Sequence, residues 1–239
     1  MHNLSVLEGR KHLYVESGCS YLIRHIPSHD QKRQDEYQRL RADVFVKAMG
    51  WRIPVDSQGR ERDRYDIEQE RYHVNIYGVY GQAGQTELLL GGLRLLTLQS
   101  WQDSMLANEF VSMFPAPILR ALFWQDAQKY IEITRFCVRR GRWYPALGQQ
   151  RFSCITARDL TYAAAYAVAF QTRRTLAVAA VDPQYMKIMQ RSEFAFHSLC
   201  VAPNATLVII DLMGTIRRIR AAGDEARAQR MLAMGFSYA

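Results

Sequence analysis

The 239-residue sequence contains no apolar run near the ~20 residues that a membrane-spanning helix needs. The closest approach, residues 162–170, is short, rich in alanine and bounded by charged residues. The first residues of the chain lack the apolar core of a signal peptide. Hydrophobic residues make up 49% and charged residues 23%, which excludes a disordered or collagen-like chain. We therefore expect a cytoplasmic protein that does not use a membrane.

Motifs for metal, redox and covalent chemistry are also missing. The cysteines are far apart, so we expect reduced, partly buried thiols at Cys19, Cys137, Cys154 and Cys200. The six histidines are scattered, and we predict no metal site. There is no GxSxG elbow, P-loop or dinucleotide-binding glycine motif, and no pyrophosphate loop of the acetyl-CoA type. No bound cofactor is therefore expected.

The charge of the chain is unbalanced. Lysine and arginine number 31 against 23 acidic residues, which gives a net charge of +8. Such an excess favours an anionic partner. Nucleic acid, a membrane surface, a phosphorylated ligand and an acidic protein all fit this charge.

Apolar residues at helical spacing predict a first helix over about 34–49. Its apolar face carries Tyr37, Leu40, Val44 and Ala48. Gly50 ends the helix. Residues 52–70 are polar and rich in acids, which is typical of a long surface loop.

Alternating residues over 71–98 predict a β-hairpin with a turn near 81–85. Gly91-Gly92 inside its second strand indicates a bulge or a close approach of another element. Short helices and loops follow over 99–128, and residues 130–138 predict a strand.

The second half alternates between helices and strands. The predicted helices are 153–171, 183–193, where Asp182-Pro183 supplies the N-terminus, and two more after Asp211 and Asp224. The predicted strands are 175–181, 196–201 and 206–210. This alternation favours one α/β domain over 1–239, built as a sandwich around a mixed sheet. Residues 1–30 are weakly patterned, and we interpret them as a candidate mobile N-terminal arm.

Glu132 and Arg135 form an unusual pair within the predicted strand. Residues three apart in a regular strand point to opposite faces, so one charge would face the core. A bulge between them would bring both side chains to one side, and bulges are frequent beside active sites. The alternative is a structural ion pair, in which Arg94 or Arg135 neutralises an acid from elsewhere.

Five groups of residues, taken in order, resemble the acyl-homoserine lactone synthases, the bacterial autoinducer synthases of quorum sensing. The groups are Arg41-x3-Phe45-x5-Trp51, Glu61-x-Asp63-x2-Asp66, Gly91-x2-Arg94-Leu95-Leu96, Met105-Leu106-x3-Phe110 and Glu132-x2-Arg135-Phe136. The resemblance covers about residues 38–138. It implies a three-layer αβα sandwich around a mixed, mostly antiparallel sheet, related to the N-acetyltransferases.

The resemblance also implies a reaction. Such enzymes transfer a fatty acyl group from acyl carrier protein, or sometimes from acyl-CoA, to the α-amine of S-adenosylmethionine. The methionine carboxylate then closes a lactone and releases methylthioadenosine. S-adenosylmethionine is thus a substrate rather than a cofactor.

Residue roles follow from the resemblance. Glu132 is the candidate base for the amine, and its alternative role is to hold the amine or Arg135. Arg135 and Arg94 would orient carboxylates or polarise the thioester. Arg94 also belongs to a set of four residues that would bind S-adenosylmethionine or form an ion-pair network: Arg41, Asp63, Asp66 and Arg94. Phe45, Trp51 and Phe110 offer aromatic faces to a sulfonium or adenine, with core packing as the alternative.

The acyl chain and its donor have candidate residues as well. Ala179 falls where some family members carry a threonine linked to 3-oxo chains, which indicates an unsubstituted chain or simply a small core residue. An acidic carrier protein would dock on the basic residues Arg139, Arg140, Arg142 and Arg151.

Two other functions fit parts of the sequence. One is a related N-acyltransferase that uses acyl-CoA and a different amine. The other is a nucleic-acid-binding protein, which would rest on the net positive charge alone. No helix-turn-helix or other nucleic-acid-binding motif is present.

Overall fold

The structure is a computed structural model that describes residues 11–16, 19–139, 152–191 and 193–232. These residues group into two compact units. The first unit lies within 1–94 and 135–162, and the second within 95–134 and 163–239. The expectation of a single domain stays a prediction.

The residues that the structure describes form eight strands. They are β1 (Lys11–Glu16), β2 (Cys19–His25), β3 (Val74–Ala83), β4 (Thr86–Thr97), β5 (Tyr130–Val138), β6 (Leu176–Val181), β7 (Phe196–Val201) and β8 (Thr206–Asp211). The predicted hairpin corresponds to β3 and β4, and the predicted strand over 130–138 is confirmed as β5.

The helices agree with the sequence pattern in the second half and differ in detail in the first. They are α1 (Gln31–Arg41), α2 (Arg64–Ile67), α3 (Met105–Glu109), α4 (Ala116–Phe123), α5 (Cys154–Thr172), α6 (Pro183–Gln190), α7 (Leu212–Ala221) and α8 (Glu225–Leu232). After α1 the chain continues in wide π-helical turns over Ala42–Ala48. Gly50 follows with a positive φ, as predicted for the end of this helix.

In the first unit the strand order is β1-β2-β3-β4-β5. β1 pairs with β2, and β2 pairs with β3, both antiparallel. The segment before residue 31 therefore contains two strands that the sequence pattern did not predict. Asp30 then caps α1 by accepting a hydrogen bond from the backbone N–H of Arg33.

Gly91 and Gly92 explain how helices cover both faces of β4. A Cβ atom on Gly91 would lie 2.6 Å from the hydroxyl of Thr161 on α5, and one on Gly92 would lie 2.8 Å from the ring of Tyr37 on α1. Neighbouring strand residues point to opposite faces, so the two helices pack on opposite sides. The predicted close approach is confirmed, and it gives the helix–sheet–helix layering expected from the sequence.

In the second unit the order is β5-β6-β8-β7. β5 and β6 are parallel, whereas β6, β8 and β7 are antiparallel to their neighbours. The α/β class and the mixed, mostly antiparallel sheet are thus confirmed. Among the described residues, no helix combines the length and the apolar character that a bilayer crossing requires.

One sequence-based expectation about the first unit is wrong. Residues 52–70 do not form a uniformly exposed surface loop, because Glu61 and Asp66 are buried and α2 lies within the segment. These acids are buried because arginines on α1 and β4 neutralise them, a long-range effect that local polarity does not reveal.

Candidate functional site

The first unit contains a buried group of charged side chains that we call the charge cluster. It consists of Arg41, Arg94, Arg135, Glu61, Asp63 and Asp66. The three guanidinium groups and three carboxylates balance in charge. Arg41 comes from α1, Arg94 from β4 and Arg135 from β5, while the acids come from α2 and the segment before it.

Arg41 anchors the cluster through two acids. Its two terminal nitrogens donate to the two carboxylate oxygens of Asp66 at 2.8 and 2.7 Å, in a fork-shaped arrangement. Its Nε donates to the carboxylate of Glu61, and Nη2 also donates to the backbone oxygen of Glu61 at 2.6 Å. Every part of this guanidinium is therefore used, and the side chain is fully buried.

Arg94 forms a second fork on the same acidic segment. Its terminal nitrogens donate to Asp63 at 2.6 and 2.8 Å, and Nη1 also donates to Asp66 at 2.9 Å. Asp66 is thus shared by Arg94 and Arg41. These contacts are those of an ion-pair network, which is one of the two roles predicted for Arg41, Asp63, Asp66 and Arg94.

The spacing Asp63-x2-Asp66 has a local structural cause. The carboxylate of Asp63 accepts hydrogen bonds from the backbone N–H groups of Tyr65 and Asp66, and the carboxylate of Asp66 accepts from the N–H of Asp63. This reciprocal arrangement is a capping box at the start of α2. The two acids therefore hold their own helix turn while they bind the arginines.

The cluster also sets the ionisation of its members. Burial alone would raise the pKa of Asp66, but Arg41 and Arg94 outweigh it and hold that pKa well below the ordinary value. The pKa of Asp63 is lowered in the same way, against its burial, chiefly by Arg94. Burial would lower the pKa of Arg94, yet Asp66 and Asp63 raise it. The charges of Asp63, Asp66 and Arg94 are therefore fixed over the ordinary pH range.

Arg135 lies at the more open side of the cluster. Its Nε is 3.1 Å from Glu61 and its Nη2 is 3.2 Å from Asp63. Its side chain is 10% exposed, whereas those of Arg41 and Arg94 are fully buried. Arg135 also has a φ of 51°, a left-handed conformation that is rare for a non-glycine residue inside a strand.

Two of the predicted aromatic residues stack on each other. The rings of Phe45 and Trp51 are 4.9 Å apart and nearly parallel. The backbone N–H of Trp51 donates to the oxygen of Phe45, so the end of the π-helical segment folds the Trp51 ring onto Phe45. Phe45 is buried in the core beside Tyr37 and Leu40, while Trp51 is only partly buried. Packing thus accounts for Phe45, and part of the Trp51 side chain stays exposed.

Glu132 belongs to the second unit, where it binds the start of α3. Its two oxygens accept hydrogen bonds from the backbone N–H groups of Met105 at 3.0 Å and Leu106 at 2.8 Å. The Ser104 hydroxyl accepts from Ala107, which is the next N–H along the helix. Glu132 is 2% exposed, and Phe110 ends the helix that it holds. Glu132 and Arg135 lie in the same strand but therefore bind different partners.

The remaining predicted site residues do not belong to the charge cluster. Ala179 is buried in β6 opposite Val208 of β8. Arg139 donates to the backbone oxygen of Leu89 and is partly exposed. Three predicted docking residues lie outside the described residues: Arg140, Arg142 and Arg151.

The described residues contain no group of three or more side chains suited to hold a metal. His25 and His29 have the four-residue spacing of some zinc ligands. His25, however, ends β2, and Pro27 separates the two, so no helix presents them together.

Two residues of this site did not appear among the site residues predicted from the sequence. Glu61 was noticed only as an acid within the resemblance, yet it binds both Arg41 and Arg135. Tyr37 was placed only on an apolar helix face, yet its hydroxyl donates to the backbone oxygen of Arg135 at 2.7 Å. Helical periodicity marks such a position as buried but does not reveal a polar partner on a distant strand.

Comparison with known proteins gives a family assignment. A family model described as autoinducer synthase matches residues 26–214. A curated acyl-homoserine-lactone synthase of Rhizobium etli is 35% identical over 131 residues, which are 55% of this chain and 53% of that protein. The chain thus spans about half the length of the curated relative it matches.

Solved structures show the same fold at low sequence identity. The crystal structure of the AHL synthase LasI has a TM-score of 0.56 at 21% identity, over 85% of this chain and 91% of that one. The CoA-dependent acyl-homoserine lactone synthase BjaI, solved with SAM and isopentyl-CoA, has a TM-score of 0.58 at 19% identity, over 84% and 89%. At these low sequence identities the similarity shows the fold alone.

Proposed function

The chain belongs to the autoinducer synthase family, and from this premise we propose that it is an acyl-homoserine-lactone synthase. It transfers an acyl group from a thioester to the amine of S-adenosylmethionine and releases the thiol of the donor, after which the methionine carboxylate closes a lactone and methylthioadenosine leaves. The observation that carries this proposal is the charge cluster, whose residues are those of the family motifs. In it, two arginines are fully buried by their acids and Arg135 remains partly exposed.

Arg135 is the cluster residue best suited to meet the substrate. Its Nε and Nη2 contact Glu61 and its Nη2 also contacts Asp63, so these acids do not use all of its five N–H donors, and some can meet a carboxylate or a thioester oxygen. Arg41 and Arg94 are saturated by carboxylates, which suits them to hold the acids rather than the substrate. Asp63 and Asp66 stay ionised and position the arginines of the cluster.

Glu132 is the candidate base for the α-amine. An α-amine has a pKa of about 7.7–8.0, so a modest base suffices to make it a nucleophile. The two backbone N–H groups that bind Glu132 orient its carboxylate. The same bonds fix the start of α3 and thereby Phe110.

The aromatic residues and Ala179 complete the proposed substrate sites. Trp51 offers its ring to the sulfonium or the adenine, and Phe45 supports it from behind. Phe110 is partly buried and serves the same substrate. Ala179 lines the acyl site with a small side chain, which favours an acyl chain unsubstituted at C3.

We infer that the acyl donor is an acidic acyl carrier protein. The net charge of +8 supports this choice, and Arg139 with Arg140, Arg142 and Arg151 would form the docking surface. The alternative donor is acyl-CoA, since a protein of the same fold, BjaI, is CoA-dependent. A carrier protein predicts activity that falls as salt rises, because exposed charges are screened over about 8–10 Å.

The test supplies purified protein with S-adenosylmethionine and either acyl carrier proteins or acyl-CoAs that carry butanoyl to dodecanoyl chains. Mass spectrometry measures acyl-homoserine lactone and methylthioadenosine, which should form in equal amounts. Glu132→Gln and Arg135→Ala should reduce both products by about a hundredfold or more. Tyr21→Phe is the matched control, because its hydroxyl accepts from the backbone N–H of Ser153 and not from the cluster.

Four outcomes decide between the proposal and its alternatives. Lactone from carrier-bound chains alone supports the carrier protein, and lactone from acyl-CoA alone makes CoA the donor. Acylation of other amines by acyl-CoA, without methylthioadenosine, would replace the proposal with a different N-acyltransferase. No acyl transfer with any donor would leave only the family and the fold.

A further inference from the structure

Arg135 adopts a backbone conformation that its own side chain disfavours. Among the residues that the structure describes, three non-glycine residues have a positive φ, and only Arg135 lies within a strand. A left-handed residue brings its Cβ close to the following carbonyl, so surrounding contacts must hold it in place. The same residue interrupts the regular alternation of β5 and points its guanidinium at Glu61 and Asp63.

Tyr37 supplies a contact that holds this conformation. Its hydroxyl donates to the backbone oxygen of Arg135 at 2.7 Å, which is a short, direct bond. Burial raises the pKa of Tyr37 well above its ordinary value, so the hydroxyl remains protonated and stays a donor at any ordinary pH. Among the partners of Arg135, Tyr37 binds the backbone, whereas Glu61 and Asp63 bind the side chain.

The Tyr37 ring is itself firmly positioned. It is fully buried in the core of the first unit. One edge lies against Gly92, where a Cβ atom would come within 2.8 Å of two ring carbons. The guanidinium carbon of Arg41 lies 5.1 Å from the ring centre, within the range of a cation–π contact. Because α1 and β4 hold the ring, the Tyr37 hydroxyl meets the backbone oxygen of Arg135 at a fixed place.

We propose that Tyr37 is a positioning residue for the reaction: its hydroxyl fixes the left-handed backbone of Arg135 and thereby aims the Arg135 guanidinium. This inference rests on the proposed function insofar as Arg135 meets the substrate. Its structural part does not, because the bond and the φ angle exist whatever the reaction. Gly92 contributes to the same positioning, since only a glycine leaves room for the Tyr37 ring.

The first test compares Tyr37→Phe with the native chain by crystallography. The variant keeps the ring and removes only the hydroxyl. We expect Arg135 to return to a negative φ and to lose its contact with Asp63. Gly92→Ala, which pushes the ring from the other side while it keeps the hydroxyl, should change the same φ angle. An unchanged Arg135 in both variants would overturn the proposal, even if the protein makes no lactone.

The second test measures turnover. Tyr37→Phe should lower kcat/KM by roughly ten- to a hundredfold, since small misplacements of a catalytic group have effects of this size. Tyr21→Phe also removes a buried hydroxyl bonded to the backbone, so it should lose similar stability and keep its activity. In an Arg135→Ala background, Tyr37→Phe should have no further effect on the residual rate. Additive losses, or equal losses in both tyrosine variants, would reduce Tyr37 to a purely structural residue.

Discussion

The charge cluster of the first unit and Glu132 of the second unit neutralise buried carboxylates in two ways. In the cluster, three acids meet three guanidinium groups, and two of those groups bind in forks. Glu132 instead meets two backbone N–H groups at the start of a short helix. A helix start offers such donors without any side-chain cation.

This difference determines what each acid can do. A carboxylate held between guanidinium groups is locked in its charged form and has few free acceptor positions. A carboxylate that backbone N–H groups bind is oriented by the start of a helix rather than by a fork of guanidinium donors. The cluster therefore fixes charge, whereas Glu132 fixes the start of α3 and, in the proposed function, is also the base. The two regions should respond differently to mutation and to pH.

The largest expected effect follows from Arg41→Ala. The variant leaves Asp66 and Glu61 buried without their main partner, and breaking a buried ion pair typically costs about 3–5 kcal/mol. Urea denaturation should show this loss as a much lower midpoint, or the variant should fail to fold. Lys47→Ala, which breaks the exposed pair with Asp43, should lose only a small fraction of that. Equal losses in the two variants would contradict the view of the cluster as a tightly coupled unit.

Acid should remove the stability that the charge cluster contributes, because Asp63 and Asp66 are ionised in the folded state. The folded-state pKa values of Asp63 and Asp66 lie below the value of 3.8 expected for the unfolded chain. Ionisation therefore stabilises the fold fully above about pH 4, and this stabilisation is lost as the pH falls through the folded pKa values. Urea midpoints measured from pH 7 to pH 2 should be level at first and then fall below about pH 4.

Asp30→Asn is the control for this pH dependence. Asp30 also has a lowered pKa, but it lies near the surface, where Arg33 binds it. Most of the acid-induced fall should persist in this variant. A fall that begins near pH 6, or that disappears in Asp30→Asn, would locate the sensitivity outside the cluster.

Glu132 variants should lose less stability than Arg41→Ala. Glu132→Ala leaves two buried N–H groups of α3 without their acceptor, which costs about 1–3 kcal/mol. Glu132→Gln retains one carbonyl oxygen and should recover part of this stability, yet it should recover no activity, because an amide is not a base. Activity restored in parallel with stability would show that Glu132 only holds the helix.

The smallest expected effect is that of Ser104→Ala. The Ser104 hydroxyl caps the third N–H of α3, and loss of such a cap typically costs about 1 kcal/mol. Thermal unfolding and turnover should both change slightly. A loss of activity as large as that of Glu132→Gln would mean that the position of α3, rather than the Glu132 carboxylate, limits the reaction.

Much of the architecture could be predicted from local pattern. Helical and strand periodicity located β3 to β8 and the helices of the second half within a few residues, because each buries one face. β1 and β2 were missed, since their segment has no clear alternation and its pairing with β3 is a long-range contact. The burial of the acids within 52–70 was missed as well, because their partners lie far away in the sequence on α1, β4 and β5.

The sequence by itself determined the family, the order of the elements from β3 onward and the residue types of the site. Motif spacing also carried local structure, since Asp63-x2-Asp66 is the spacing of a capping box. Only the tertiary structure decided which charges meet. It joined Glu61 to Arg41 and Arg135, gave Glu132 to the start of α3 and set Tyr37 under the backbone of Arg135. Such contacts join residues up to 98 positions apart, and they form only when packing brings distant elements together.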